Sequence, residues 1–371
     1  MTFALLLPAL CAPAAPAAGR PIIVGYVFAR EAPLPLGQID GTKLDRINYA
    51  FARVKDGRME TGSDADGQNF ALLNTLKTQN PSLKILVSVG GWLGSKGFSD
   101  AAFTPESRKK FVQSVMVFLR QYDLDGLDVD WEYPASKGAG NRFRSEDKRN
   151  FTLLLQELRA AFDAETKKTH KLLYLTIAAG ASDEYLSNTE MGEVAKIVDT
   201  VNLMTYDYNE PGSDPLTGHN APLYTNPLDA HAVSADATVR AFEQAGVPAG
   251  KILLGVPFYG HTWGDVAEAD HGLFKPGKPV VQGYTSYRLT SDILLKQGFV
   301  RYWDAASQVP YLYNAQKHIF LSYEDTESLA AKAHYVQTNK LGGVMFWEYM
   351  DDPSGTLLGA LKKSLDESAP K

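Results

Sequence analysis

The run DGLDVDWEYP, residues 125–134, sets Asp128, Asp130 and Glu132 alternately with Leu127, Val129 and Trp131. A period of two is the pattern of a β-strand, whose successive side chains point to opposite faces. The three acids therefore share one face at a spacing of ~7 Å, twice the rise per residue. Asp125 adds a fourth carboxylate at the strand's entry. Carboxylates this close, taken out of water, raise one another's pKa and share protons, which suits a proton donor working near neutral pH. A metal is the rival use of such acids. Calcium or octahedral sites draw oxygen ligands from several strands, and the other strand ends of this chain offer mainly aromatic and small residues. The expectation is proton chemistry with no metal and no cofactor.

An acidic strand face needs elements that hold it. Seven other apolar runs accompany this one: IIVGYVF from Ile22, RINYAFA from Arg46, KILVSVG from Lys84, LLYLTIA from Leu172, DTVNLMTY from Asp199, KILLGVPF from Lys251 and GGVMFWE from Gly342. Near-continuous apolar strands are those of a parallel sheet covered on both faces. Helical patterns lie between them. Thr104, Pro105 and Glu106 open one as cap, first residue and first-turn charge, and Phe111, Val112, Val115, Met116, Phe118, Leu119 and Tyr122 recur at helical spacing. Others are expected over 150–164 and from Thr326 to Gly342 or Gly343. Eight alternating units predict an α/β chain closed as a (β/α)8 TIM barrel. An open doubly wound sheet would show a G-x-G-x-x-G turn after its first strand, and none is present. In a barrel, Leu127, Val129 and Trp131 pack against helices, and the acids point inward with Glu132 nearest the reactive C-terminal mouth. The interval from Lys251 to Gly342 exceeds one unit. Residues 263–318 are therefore read as a small α+β insertion between strands seven and eight, with a helix near 290–297.

The chain has 371 residues, 44% hydrophobic and 22% charged, with a formal charge of −6 and no basic block, which disfavours nucleic acid as a partner. Its one cysteine, Cys11, leaves no disulfide framework. Residues 1–18, apolar and then Ala/Pro-rich with Ala-Pro-Ala at 15–17, are read as a secretory leader, although they lack the usual basic start. The remainder, 19–371, is expected to be a secreted, monomeric catalytic barrel without a membrane span.

D-G-L-D-V-D-W-E matches the D-x-x-D-x-D-x-E signature of family 18 glycoside hydrolases, the chitinases. SVGGW at 88–92, LMTYD at 203–207, TGHNAPL at 217–223, GVPFYG at 255–260 and FWEY at 346–349 follow in the family's order. The chain resembles a bacterial-type member of the subfamily with the α+β insertion, over nearly all its length after the leader. The resemblance implies chitin and N-acetylglucosamine oligomers as substrates and a substrate-assisted retaining reaction. Glu132 would be the general acid and then the base. Asp130 would hold the acetamido N–H, Asp128 would share its proton, and Tyr206 would hydrogen-bond the acetyl oxygen. Asp207, Met204, Tyr259 and Tyr133 would line the sugar site, and Tyr26 and Ser88 would support Asp128 from below. Asp125 is read as structural.

Aromatic rings suit the flat C–H faces of sugars. Trp347 resembles the platform under the reacting sugar and Trp92 one on the leaving-group side. Trp263 joins this set by position, while Trp131 should face the helices. Tyr284, Tyr287 and Trp303 of the insertion are expected to offer further sugar-binding surface, although for Trp303 a core position is an equal reading. His261 stands where the resemblance would have an arginine, which keeps a donor but loses a fixed charge and a fork. Two rival functions stay open: an endo-β-N-acetylglucosaminidase acting on N-glycans, and a non-catalytic chitin-binding lectin, which Glu132 disfavours. Peptidoglycan hydrolysis is a third, with no cell-wall module to support it.

Overall fold

All eight apolar runs form strands of one sheet, and every pairing between those eight is parallel. The structure is a computed structural model that describes residues 20–35, 37–292 and 294–367. The expected leader at 1–18 lies outside the described residues. The barrel strands are β1 (Ile22–Phe28), β2 (Arg46–Lys55), β4 (Lys84–Gly90), β5 (Gly126–Asp130), β6 (Tyr174–Gly180), β7 (Thr200–Met204), β8 (Ile252–Pro257) and β14 (Gly343–Trp347). The short β3 (Arg58–Glu60) pairs antiparallel with the end of β2. The order β1-β14-β8-β7-β6-β5-β4-β2 closes through β1–β2 into an eight-stranded barrel.

The apolar faces divide the core in two. Leu127, Val129 and Trp131 point outward and are buried among the helices, where Trp131 stacks on Phe98 at 5.3 Å and meets Phe151 edge-on. Inside the barrel Val24, Tyr26, Leu253 and Met345 form a smaller apolar plug, with Met204, Tyr206 and Trp347 packed above it. The helix Pro105–Gln121 starts where its sequence predicts. Thr104 Oγ1 accepts from Ser107 N at 3.1 Å, and Ser107 Oγ accepts from Thr104 N at 2.9 Å. The helix expected over 150–164 is longer, Asp147–Thr169, because buried Asp147 ties its start to Ser99 and Arg144 and His170 ends it at positive φ. The helix from Thr326 stops at Thr338, ahead of the expected glycines. No helix among the described residues is long and apolar enough to cross a membrane.

Between β8 and β14 the chain builds a second sheet, antiparallel throughout. Its strands are β9 (Tyr259–Gly264), β10 (Lys278–Ser286), β11 (Val300–Asp304), β12 (Val309–Asn314) and β13 (Ile319–Ser322), in the order β10-β9-β13-β12-β11. It begins at Tyr259, one residue after β8 leaves the barrel mouth, so β9 rises directly from the reactive rim. A helix occupies Tyr287–Asp292 and a 3-10 turn Leu294–Lys296, shifted toward the N-terminus from the expected 290–297.

Candidate active site

β5 ends at Asp130, two residues short of Glu132. Asp128 and Asp130 therefore rise inside the barrel on a regular strand, whereas Glu132 sits in the bend just past its end. The expectation of one continuous strand through Tyr133 is corrected here. Beyond Asp130 the backbone bonds side chains in place of a neighbouring strand: Ser95 Oγ donates to Asp130 O at 3.1 Å and accepts from Glu132 N at 3.0 Å, and Asn141 Nδ2 donates to Glu132 O at 2.5 Å. Gly90 makes this approach feasible. It adopts φ +113°, and a Cβ there would lie 2.0 Å from Asp130 O, so no other residue fits the turn at the end of β4.

Asp128 is the fixed foot of the column. Its carboxylate accepts from Tyr26 Oη at 2.8 Å, Ser88 Oγ at 2.9 Å, Thr176 Oγ1 at 2.5 Å and Asn202 Nδ2 at 3.0 Å. Burial raises its pKa, and the Thr176, Tyr26 and Ser88 hydroxyls together with buried Arg46 pull it back. Asp130 has no such company. Its Oδ1 is buried without a hydrogen-bond partner, and burial, then the charges of Glu132 and Asp128, push its pKa far above the ordinary carboxylate value. Glu132 opens to the cleft on one side and is enclosed on the others. Burial lifts it to about 7, Tyr133 draws it back and Asp207 adds a little. A carboxyl with that value holds a proton and can still give it up near neutral pH.

The column opens into a cavity of about 1300 Å³, lined by Asp130, Glu132, Tyr133, Met204, Tyr206, Asp207, Tyr259, His261, Tyr26, Trp92 and Trp347. Trp347 forms part of its floor, tilted against Tyr26 and Phe28 and stacked on Phe51 at 5.4 Å. Trp92 stands at the rim, 52% exposed and 6.4 Å from the Tyr133 ring. The second sheet supplies the wall opposite. Tyr259 Oη donates to Asp207 Oδ1 at 2.6 Å, and His261 Nε2 lies 2.8 Å from the same oxygen. Tyr284 stacks on Tyr259 at 4.4 Å and donates to Asp351.

Ser88 and Asp128 lie below the cavity floor. Asp125 is at the far end of the strand, accepting from Ile85 N at 2.8 Å and pairing with Lys77 at 2.6 Å, and it does not reach the cleft. Three aromatic expectations fail. Trp263 is fully buried among Val266, Tyr311, Tyr313 and Phe320, because the chain after β9 folds back over it. Tyr287 packs against the core, and Trp303 lies on the outer strand β11 beneath Arg301, so neither lines the cavity. Sequence reading also missed Thr176, Asn202 and Ser95, which hold the acids, and Glu210, which lines the cleft beside His261. Thr176 and Asn202 could have been found as polar residues interrupting apolar strands. Ser95 and Glu210 lie in connections, where no periodicity marks them.

Three comparisons bear on this site. Residues 22–352 match the family described as glycosyl hydrolases family 18. The chain is 38% identical over 391 residues to chitinase A1 of Niallia circulans, covering 89% of this chain but 56% of that protein, so it spans little more than half the length of this relative. Among solved structures it superposes on an N-acetylglucosaminidase of the same family from Paenibacillus barengoltzii with TM-score 0.86 and 42% identity, covering 93% of this chain and 99% of that one. A chitinase from Bacillus thuringiensis gives TM-score 0.86 at 33% identity, covering 95% and 71%.

Proposed function

The chain belongs to family 18 of the glycosyl hydrolases, and from that premise we propose that it is a chitinase that cleaves β-1,4 bonds between N-acetylglucosamine units with retention of configuration. The observation that carries the reading is the contrast along the column of acids: Glu132 at the mouth, just past the end of β5 and raised to about 7, an unanchored Asp130 beneath it and a four-fold anchored Asp128 at the foot.

Glu132 gives its proton to the glycosidic oxygen as the C1–O bond breaks. The carbonyl oxygen of the substrate's own acetamido group closes on C1, forming an oxazolinium ion. This internal nucleophile takes the place of the second facing carboxylate of an ordinary retaining glycosidase. Asp130, free to turn, accepts the acetamido N–H and offsets the positive charge, while its own proton passes toward Asp128. Tyr206 bonds the acetyl oxygen, and Trp347 supports the sugar ring. Glu132, now ionised, takes a proton from the water that attacks C1, and the original β configuration returns.

The relatives named as chitinase and as N-acetylglucosaminidase differ in how much polymer they are named for. The cavity here, about 1300 Å³ and lined by residues as separate in the chain as Phe28, Phe51, His231 and Phe242, supports the oligomer and polymer reading. An insoluble polymer cannot reach an enzyme inside a cell, so the reading carries export with it. The deciding assay compares reducing ends released from colloidal chitin, an N-glycoprotein and peptidoglycan. Release from the glycoprotein or peptidoglycan alone would discard the chitin assignment.

A further inference from the structure

The cleft holds a second titratable cluster away from the β5 acids. His261, 6% exposed on β9, places Nε2 2.8 Å from Asp207 Oδ1 and 3.9 Å from Glu210 Oε1. One ligand atom from each residue lies within 4.8 Å of the others, the one such grouping among the described residues. Two elements present them in fixed register. β9 carries the imidazole, and the connection after β7 carries both acids, with Asp207 N donating to Asn220 Oδ1 at 2.8 Å and Glu210 N to Asp214 Oδ2 at 2.7 Å.

Bond lengths of about 2.0–2.2 Å around a tetrahedral zinc ion put neighbouring donor atoms about 3.3–3.6 Å apart. The two observed separations bracket that spacing, so small rotations would bring the donors onto a common ion. One imidazole and two carboxylates form a donor set for a zinc-like borderline cation, and the exposed sides of both acids leave a position open to the cleft. Tyr259 Oη, donating to Asp207, is the outer hydrogen bond that orients a ligating carboxylate. An arginine at position 261 would offer no lone pair. We propose that Asp207, Glu210 and His261 form a binding site for a divalent cation of the zinc class in the cleft wall, and that the ion excludes substrate when bound.

The first test is calorimetric titration of the full chain with Zn²⁺ after chelator dialysis, without substrate, so the existence of the ion site is read independently of the chitinase reading, on which only the oligomer competition below rests. One site is expected, weakened at least about tenfold in Glu210→Gln and lost in His261→Arg, which substitutes a cation for a ligand. Both variants should melt cooperatively like the wild type. His231 lies 3.1 Å from Asp214 nearby, so His231→Ala is the control and should bind Zn²⁺ normally. A saturating N-acetylglucosamine oligomer should suppress the binding heat. Absence of a site, affinity unchanged in both variants, affinity that follows His231, or Zn²⁺ binding indifferent to an oligomer that a separate titration shows bound to the protein would overturn the proposal.

Discussion

Asp128 and Asp130 stand two residues apart on one face of β5, yet Asp128 accepts four hydrogen bonds whereas Asp130 Oδ1, also buried, accepts none. One is held on all sides by donors and the other is not, as the proposed turn of Asp130 requires. Asp128→Ala strands four buried donors and should cost at least about 3 kcal/mol of stability. Asp130→Asn strands none, so its denaturation midpoint should stay near wild type while turnover collapses. Denaturant unfolding alongside initial rates separates the two effects. Equal destabilisation by both variants would contradict the division of roles.

Glu132→Gln keeps the shape of the side chain and the backbone contacts from Ser95 and Asn141, but it cannot donate the proton. Turnover should fall by about 10²–10⁴ or more. Affinity for N-acetylglucosamine oligomers, read by calorimetry on the inactive variant, should persist. Hydrolysis at near wild-type rate would remove Glu132 as the acid.

The pH profile follows from the same group. Burial raises Glu132 to about 7, and the proposed reaction needs it protonated at the first step. kcat/KM should therefore decline above about 7, approaching tenfold per pH unit. Stability runs in the same direction. The folded pKa lies above the ordinary 4.5, so this contribution is complete below about 4.5 and is lost as pH rises through about 7. Rates and melting temperatures across the neutral range check both. A kcat/KM that stays flat well above 7 would detach the acid from this value.

The barrel was legible because its strands are apolar on the face that meets the helices, and Leu127, Val129 and Trp131 show that face directly. The order of the acids on β5 was legible from period two alone. The position of Glu132 was not, because the strand ends at Asp130 once its neighbours stop pairing and Ser95 and Asn141 take over the backbone. Such contacts come from distant connections and leave no periodic trace. Trp263 misled for a related reason. It shares strand parity with Tyr259 and His261, and only the later return of the chain over Val266 decides that it is core. Asp207 and His261 were readable one by one, but their meeting depends on the second sheet rising beside β7.

The proposed internal nucleophile would make the acetamido group indispensable at the scissile bond. Fully deacetylated chitosan and cellulose should give no detectable turnover, and the first product from chitin oligomers should carry the β anomer, observed by NMR before mutarotation. Formation of the α anomer would exclude the oxazolinium route.

Tyr284 joins the second sheet to the connection after β14, the barrel strand next to β8. Its ring lies 13° from parallel with Tyr259 at 4.4 Å, it is 43% exposed, and its hydroxyl donates to Asp351, which burial and neighbouring Glu348 push up to about 7. The ring thus offers a flat face to sugars beyond the reacting one, and the hydroxyl ties that face to the connection after β14, where Arg30 also reaches Asp351 at 3.6 Å. Tyr284→Ala removes face and tie together. An aromatic platform contributes about 0.5–1.5 kcal/mol beyond area burial, so affinity for long oligomers should drop about 2- to 10-fold, while short oligomers that do not reach the wall bind as before. Tyr284→Phe keeps the face, should retain long-oligomer affinity, and should lose thermal stability through the severed tie to Asp351. Early digests of chitin should then show a smaller disaccharide share for Tyr284→Ala, since a polymer held less firmly leaves between cuts. If Tyr284→Ala binds and cuts long oligomers like the wild type, the second sheet does not serve as a sugar-binding wall.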